Sequence, residues 1–405
     1  MVGSGVNSAH SSGGDEEREA AAKREILFLT ATRADFGKLK PLIEKVRASE
    51  RYTYRIFATG MHMLARYGST LKEIEKAGFE RIFPHINQDG SVTSQMDLVL
   101  ANTIQGLGHY IREFPPDLIV VHGDRLEALA GAAVGALNNV LVAHIEGGER
   151  SGTVDELMRH AVSKLSHLHF VANEEAKQRL VQMGEVAENI FVIGSPDIDV
   201  MLGDGLPSLD EVRGKYEIPF AQFGILMYHP VTTELDRLAG HVEEVAAAVE
   251  ASGWNFVAIY PNNDAGSELI LASLRRLAQG QRVRLIPSMR FEYFLSLLKH
   301  ARAILGNSSA GVREAPVYGV PTINVGSRQL NRHRSPSIVD VPDERESIQR
   351  ALANLPASAA PSRHFGYGGS ADAFVAALDG PGFWETTGQK QFRDVVAEPV
   401  PRGRR

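Results

Sequence analysis

The sequence contains no cysteine. Disulfides, thiolate nucleophiles and cysteine-ligated zinc are therefore excluded, and a reducing cytoplasm suits such a chain. No apolar run approaches the roughly 18–20 residues of a membrane span, so no membrane partner is expected. The nearest run, ALAGAAVGAL at 128–137, reads as a helix whose Ala and Gly let it lie close to a sheet. Positive charge is not in excess. Lys and Arg number 43 against 49 Asp and Glu, for a net charge of -6, which argues against a nucleic-acid partner. There is no GxxxxGKS/T loop and no GxGxxG fingerprint, so P-loop and NAD chemistry are disfavoured.

The 405 residues are 43% hydrophobic and 23% charged, ordinary for a globular chain long enough for two domains. The first 23 residues lack an apolar signal core and read as a disordered tail. Beyond them, short apolar runs alternate with helical spacing. EILFLTA (25–31), TYRIFATG (53–60), DLIVVHGD (117–124), VLVAHIEGG (140–148), HLHFVAN (167–173) and NIFVIGS (189–195) read as strands. The first strand leads into a helix over 38–49. This alternation predicts a parallel sheet covered on both faces.

The pattern restarts after GDGLPSLD (203–210) with QFGILMYHP (222–230), NFVAIYPN (255–262), VRLIPS (283–288), ARAILGN (301–307) and PTINVG (321–326). Two doubly wound α/β domains are expected, at 24–204 and 205–368. The remaining stretch, 369–405, is expected to send a helix around FVAALDG (374–380) back to the first domain and then to end loosely. In such sheets ligands bind beyond the carboxyl ends of the strands. The polar loops of this sequence directly follow its strands.

GNSSAGVREA (306–315) reads as a phosphate-friendly helix start. Ser308 or Ser309 would cap it, free N–H groups would face an anion, and Glu314 one turn in would suit a ribose diol. A capped helix with a surface glutamate is an equally good reading. TATRADFGK (30–38) offers Arg33 for phosphate and Gly37 for close approach. VHGDR (121–125) gathers His122, Asp124 and Arg125 at a strand end. HIEGGERSGTVDELMRH (144–160) is the densest candidate. Glu146 and Asp155 are the expected acid and base, with Arg159 and His160 a turn further on. Asp155 read blandly is a helix cap, and Glu149 and Glu156 are expected on a solvated face. His229, Asn262 and Arg328 sit at strand ends of the second half. His167 and His169 share a strand face but lack further ligands at a recognisable spacing.

TATRADFGKL, VHGDR, HIEGGERSGTVDELMRHAVSKLSH, HPVTT, PNNDAGS, GNSSAGVREA and GVPTINVGSRQ follow one another in order across residues 26 to 330. At these motifs the sequence resembles the hydrolysing UDP-N-acetylglucosamine 2-epimerases, including bacterial sialic-acid pathway enzymes and the epimerase half of the bifunctional animal enzyme. The ordered set is highly specific, whereas each motif alone is weak.

The resemblance implies a GT-B-like fold, two Rossmann-like domains facing a cleft, with uridine diphosphate mainly on the second. It implies that Ser308 and Ser309 hold the diphosphate, Glu314 the ribose, and Arg33, Arg125 and Arg328 the phosphate charge, with Asn262 and His229 beside the sugar. Some relatives carry a serine at the position of Gly37, so the contact expected there loses its hydroxyl. Catalysis is implied for Asp124, Glu146 and Asp155, assisted by Arg159 and His229. The implied chemistry removes the proton on carbon 2, expels UDP to give a 2-acetamidoglucal, and adds water. It needs no metal or redox cofactor. The resemblance also implies a homo-oligomer, a dimer or a tetramer. Close relatives act instead on a UDP-2,4-diacetamido-trideoxyhexose or a GDP sugar. A GT-B glycosyltransferase and a silent nucleotide-sugar sensor are the alternatives from other classes.

Overall fold

The computed structural model describes residues 23–88, 95–356 and 359–394. The tail expected at the amino terminus and the last residues of the chain lie almost wholly outside this range. Strands β1 (Arg24–Thr30), β2 (Tyr52–Ala58), β3 (Ile82–Pro84), β4 (Leu118–His122), β5 (Leu141–Ile145), β6 (Leu168–Val171) and β7 (Ile190–Val192) form a seven-stranded sheet in the order β3-β2-β1-β4-β5-β6-β7. Strands β8 (Gly224–Met227), β9 (Phe256–Ile259), β10 (Val283–Ile286), β11 (Ile304–Gly306), β12 (Thr322–Val325) and β13 (Ile338–Val341) form a six-stranded sheet in the order β10-β9-β8-β11-β12-β13. All pairings are parallel. The two-sheet, GT-B-like architecture implied by the sequence is present.

Both sheets reverse their winding beside their first strand, between β1 and β4 and between β8 and β11. At these points the loops diverge to opposite faces and leave a crevice. The motifs after β1, β4, β8 and β11 therefore start at the two crevices, and the sheets turn these ends toward each other. Gly306 makes the second crevice possible. At φ 131°, a Cβ there would sit 2.0 Å from the Met227 carbonyl oxygen on the neighbouring β8.

The strand interiors are continuous apolar runs because both faces are covered. Ile26, Phe28, Leu118, Val120 and Phe170 lie on one face of the first sheet, and Leu27, Leu29, Ile119 and Val121 on the other. The alanine-rich run forms the helix Leu126–Leu137. It packs close to the sheet as expected: a Cβ on Gly135 would fall 2.2 Å from Val142 Cγ2, and one on Gly131 2.6 Å from Val121 Cγ1.

The late helix, Ser370–Leu378, places Phe374 between the rings of Phe28 (6.4 Å) and Phe170 (4.7 Å), in the core of the first sheet. The helix after β1 starts earlier than its apolar spacing suggests, at Arg33 rather than 38. Thr32 and Asp35 form a reciprocal capping box, and the Asp35 carboxylate also accepts from the Ala31 N–H at 2.9 Å and the Thr30 hydroxyl at 2.7 Å. Pro41 stands inside this helix, whose buried face of Phe36, Leu39, Leu42, Ile43 and Val46 packs into the core of the first sheet. β3 and β13 were not foreseen. Both are short, half-exposed edge strands without a buried apolar run. Among the described residues no helix is long and apolar enough to cross a membrane.

Candidate active site

A cavity of about 890 Å³ opens between the two units, large enough for a nucleotide sugar. Asp124, Glu146, Asp155, Arg159 and His229 line it, as do Arg33, Arg125, Asn262, Ser308, Ser309, Glu314 and Arg328. Gly37 does not. It lies on the helix Arg33–Ala48, where a Cβ would fall 2.6 Å from the Phe291 ring. The residue lets a helix of one unit press on an aromatic ring of the other, so its expected place at the diphosphate is corrected to a packing contact.

The segment after β11 also departs from expectation. It forms two short 3-10 turns, Ser309–Gly311 and Ala315–Tyr318, instead of an α-helix. Ser308 Oγ still accepts from the Ala310 N–H at 3.3 Å. Gly311, Pro316 and Gly319 leave little helix propensity over these residues. Glu314 is consequently deeply buried, 5% exposed, with Oε1 3.5 Å from Lys38 Nζ and Oε2 without a hydrogen-bond partner. Burial lifts its carboxyl above the usual range against the pull of Lys38.

Glu146 directly follows β5 in the left-handed region at φ 66°, which costs a residue with a Cβ roughly 1–2 kcal/mol. Three donors converge on its Oε1: Arg313 Nη2 at 2.6 Å, Ser195 Oγ at 2.7 Å and Lys38 Nζ at 3.2 Å. Oε2 lies 3.3 Å from His122 Nε2. Burial by itself would raise this carboxyl. Arg313, then Lys38 and His122, outweigh burial and hold it well below the usual range. Glu149 is not on a solvated face: it is 6% exposed and paired with Arg313. Glu156 is half-buried and accepts from the Ser151 N–H at 3.0 Å.

Asp155 is not the cap of its helix. Thr153 takes that role, accepting from the Asp155 N–H at 3.4 Å, which frees the carboxylate to face the cavity. Burial and then the neighbouring Asp124 push its carboxyl up, against Arg328. Asp124 moves the other way: Arg159, Arg332 and His122 overcome burial and hold it low. Arg159 pairs with Asp124 and also donates to the Glu146 carbonyl at 2.9 Å. The group whose charge lifts Asp155 is thus Asp124, while Glu146 is set by its own cations.

His229 hydrogen-bonds through Nδ1 to the Asn262 N–H at 3.0 Å, which leaves the ring proton on Nε2. Burial and Arg328 keep this ring neutral. Arg33 donates to Ser288 Oγ at 2.7 Å and meets Glu73 at 2.5 Å, spanning the cleft. Arg125 pairs with Glu127 at 3.3 Å.

Sequence reasoning missed Lys38, Arg313 and Arg332. Lys38 and Arg313 lay inside motifs already singled out, but nothing in linear spacing says that they meet Glu146. Arg332 lies four residues beyond Arg328, in a stretch that sequence reasoning did not single out. It is buried, its Nε is unpartnered, and its guanidinium is 3.9 Å from Asp124. Burial and Arg159 lower it to about 10. His169 belongs to another cluster, 3.0 Å from Glu185.

Comparison with known proteins bears on the family and the fold. The family profile described as UDP-N-acetylglucosamine 2-epimerase matches residues 44–379. A UDP-N-acetylglucosamine 2-epimerase of Neisseria meningitidis is 47% identical over 377 residues, 92% of this chain and 99% of its own. A hydrolysing UDP-N,N'-diacetylbacillosamine 2-epimerase of Legionella pneumophila is 36% identical over 332 residues, 81% of this chain and 88% of its own. Among solved structures, the Methanocaldococcus jannaschii UDP-GlcNAc 2-epimerase in complex with UDP-GlcNAc and UDP superposes with a TM-score of 0.75 at 22% identity, covering 88% of this chain and 99% of its own. That likeness speaks to the fold alone. The profile match and the full-length similarity together place the chain in the UDP-N-acetylglucosamine 2-epimerase family of enzymes.

Proposed function

We propose that the protein is a hydrolysing 2-epimerase that converts UDP-N-acetylglucosamine to N-acetylmannosamine and UDP. The observation that carries this reading is the pair of carboxyls with opposite tendencies in one cavity, Glu146 held ionised and Asp155 pushed toward its protonated form. Inversion at carbon 2 needs a group that accepts a proton and another that gives one.

In the first step the C1–O bond to UDP breaks, and its electron pair leaves with the diphosphate. The arginines and the 308–310 turn face the developing anion. Bond breaking runs ahead of proton loss, so positive charge at C1 acidifies the C2–H. The ionised Glu146 then suffices as acceptor despite its low basicity, and the C–H electrons form the C1=C2 bond of 2-acetamidoglucal. In the second step Asp155 delivers its proton to C2 from the opposite face while the oxygen of water adds to C1; the proton this water sheds restores Asp155, and Glu146 gives the proton it took to solvent. His229 contributes a neutral Nε2–H donor, and Glu314 Oε2 offers an unpaired acceptor for a ribose hydroxyl.

The test is turnover of UDP-N-acetylglucosamine in deuterated water. The reading expects free N-acetylmannosamine with deuterium at C2, plus UDP. Release of UDP-N-acetylmannosamine would replace it with a non-hydrolysing epimerase, and dependence of UDP release on an added acceptor would replace it with a glycosyltransferase. The Legionella relative favours one second reading, the same reaction on a UDP-2,4-diacetamido sugar. Parallel assays on both substrates separate the two.

A further inference from the structure

Arg313 is carried by the second unit, two residues after the Ser309–Gly311 turn, yet its carboxylate and hydroxyl partners all belong to the first. Nη2 donates to Glu146 Oε1 at 2.6 Å and to Ser195 Oγ at 2.7 Å, and Nη1 meets Glu149. Its guanidinium carbon lies 4.3 Å from the centre of the Phe365 ring, and its side chain is 3% exposed. Glu146 has a strained backbone, and on its carboxylate oxygens its own unit sets Lys38 and the His122 imidazole but no guanidinium.

We propose that Arg313 is a positioning residue that ties Glu146 to closure of the cleft: it reaches the Glu146 carboxylate only while the two units stand face to face, and then fixes that carboxylate for proton transfer. The inference rests on the reading of Glu146 as a proton-handling group.

The surroundings make Arg313 the variable partner. Lys38 from the helix Arg33–Ala48, His122 from the end of β4 and Ser195 are carried by the same unit as Glu146, and Arg159 holds its carbonyl. These contacts to Glu146 are made within one unit. Asp197, 3.5 Å from Lys38, and Glu149 repel a second negative charge. Lys38 also meets Glu314 of the second unit at 3.5 Å, so without Arg313 the carboxylates of Glu146, Asp197 and Glu314 would share one buried lysine and Glu149 would lose its guanidinium partner. The same guanidinium therefore closes the cleft and permits Glu146 to stay ionised there. UDP held against both walls of the cavity would keep the units face to face, so the proposal expects its binding to expel a proton from Glu146.

The experiment uses the full chain, UDP as the probe, and the variants Arg313→Met and Arg313→Met/Glu149→Gln. The double variant removes one charge of each sign and preserves balance if the single one fails to fold. UDP binding is measured by calorimetry in two buffers of different ionisation enthalpy between about pH 4 and pH 7, across the ordinary carboxylate range. The wild type should release protons on binding, and the variants should release fewer. In turnover assays kcat should fall while KM changes little, and the acid limb of the kcat profile should move up by about one to three pH units. Equal proton release and a superimposable acid limb in both variants would overturn the proposal, whatever the loss of rate. If the wild type binds UDP but does not turn over the sugar nucleotide, the functional reading fails, and the calorimetric comparison still decides the role of Arg313.

Discussion

Arg328 Nη2 stands 3.4 Å from Asp155 Oδ2, so a guanidinium of the second unit meets a first-turn carboxylate of the first. The contact does not bring Asp155 back to an ordinary carboxylate, because burial and the charge of Asp124 still raise it. Arg328 therefore faces both the proposed diphosphate and the proposed acid. Replacing it with Met should weaken UDP binding about 10- to 150-fold, the loss of one charged hydrogen bond of about 1.5–3 kcal/mol. It should also raise Asp155 further and shift the alkaline limb of the rate profile to higher pH. Titration calorimetry with UDP and a pH–kcat series check the two effects separately.

The wild-type rate should be bell-shaped in pH. Glu146 must be ionised, a condition lost as pH falls through its depressed value. Asp155 must be protonated, a condition lost as pH rises through its elevated value. Asp155→Asn and Glu146→Gln should each lower kcat by about 10²–10⁴, the usual share of a proton-transfer group. Circular dichroism should show Asp155→Asn folded like the wild type. Near-normal turnover in both variants would refute these roles.

The left-handed backbone at Glu146 makes a prediction independent of chemistry. Glu146→Gly and Glu146→Ala both lose the carboxylate, but only glycine adopts φ 66° without a Cβ penalty. The Gly variant should be the more stable by about 1 kcal/mol, read from the difference in denaturation midpoints.

Gly135 should tolerate no side chain. Ala there places a methyl 2.2 Å from Val142 Cγ2 and forces the helix off the sheet. A loss of about 1–3 kcal/mol is expected, visible as a lower Tm. Gly205, with nothing near its missing Cβ, is the control.

Glu185 provides a pH signature of stability away from the cleft. His169, Lys164 and Lys390 overcome burial and hold it at about 2. Its folded value is depressed, so its stabilisation is full above the unfolded carboxylate value and is lost as pH falls toward about 2. Urea midpoints of the wild type should drop across that acid window. Glu185→Gln should be less stable at neutral pH and show a shallower drop.

Alternating apolar runs determined the two wound sheets, since a strand buried on both faces needs an unbroken apolar stretch that linear sequence displays. The strand-end loops determined which polar residues would face a cleft, because parallel sheets open at their carboxyl ends. Tertiary structure alone decided how those groups are charged. Arg313 and Lys38 converge on Glu146 from positions 167 and 108 residues away, and Asp124 lifts Asp155 because β4 and β5 lie side by side in the first sheet and their following loops meet at its carboxyl edge. Local sequence carries propensity and capping over a few residues. The field at a buried carboxyl comes instead from every charge that folding brings within a few ångströms, set within the first unit by its sheet topology and, for Arg313, by the placement of one unit against the other.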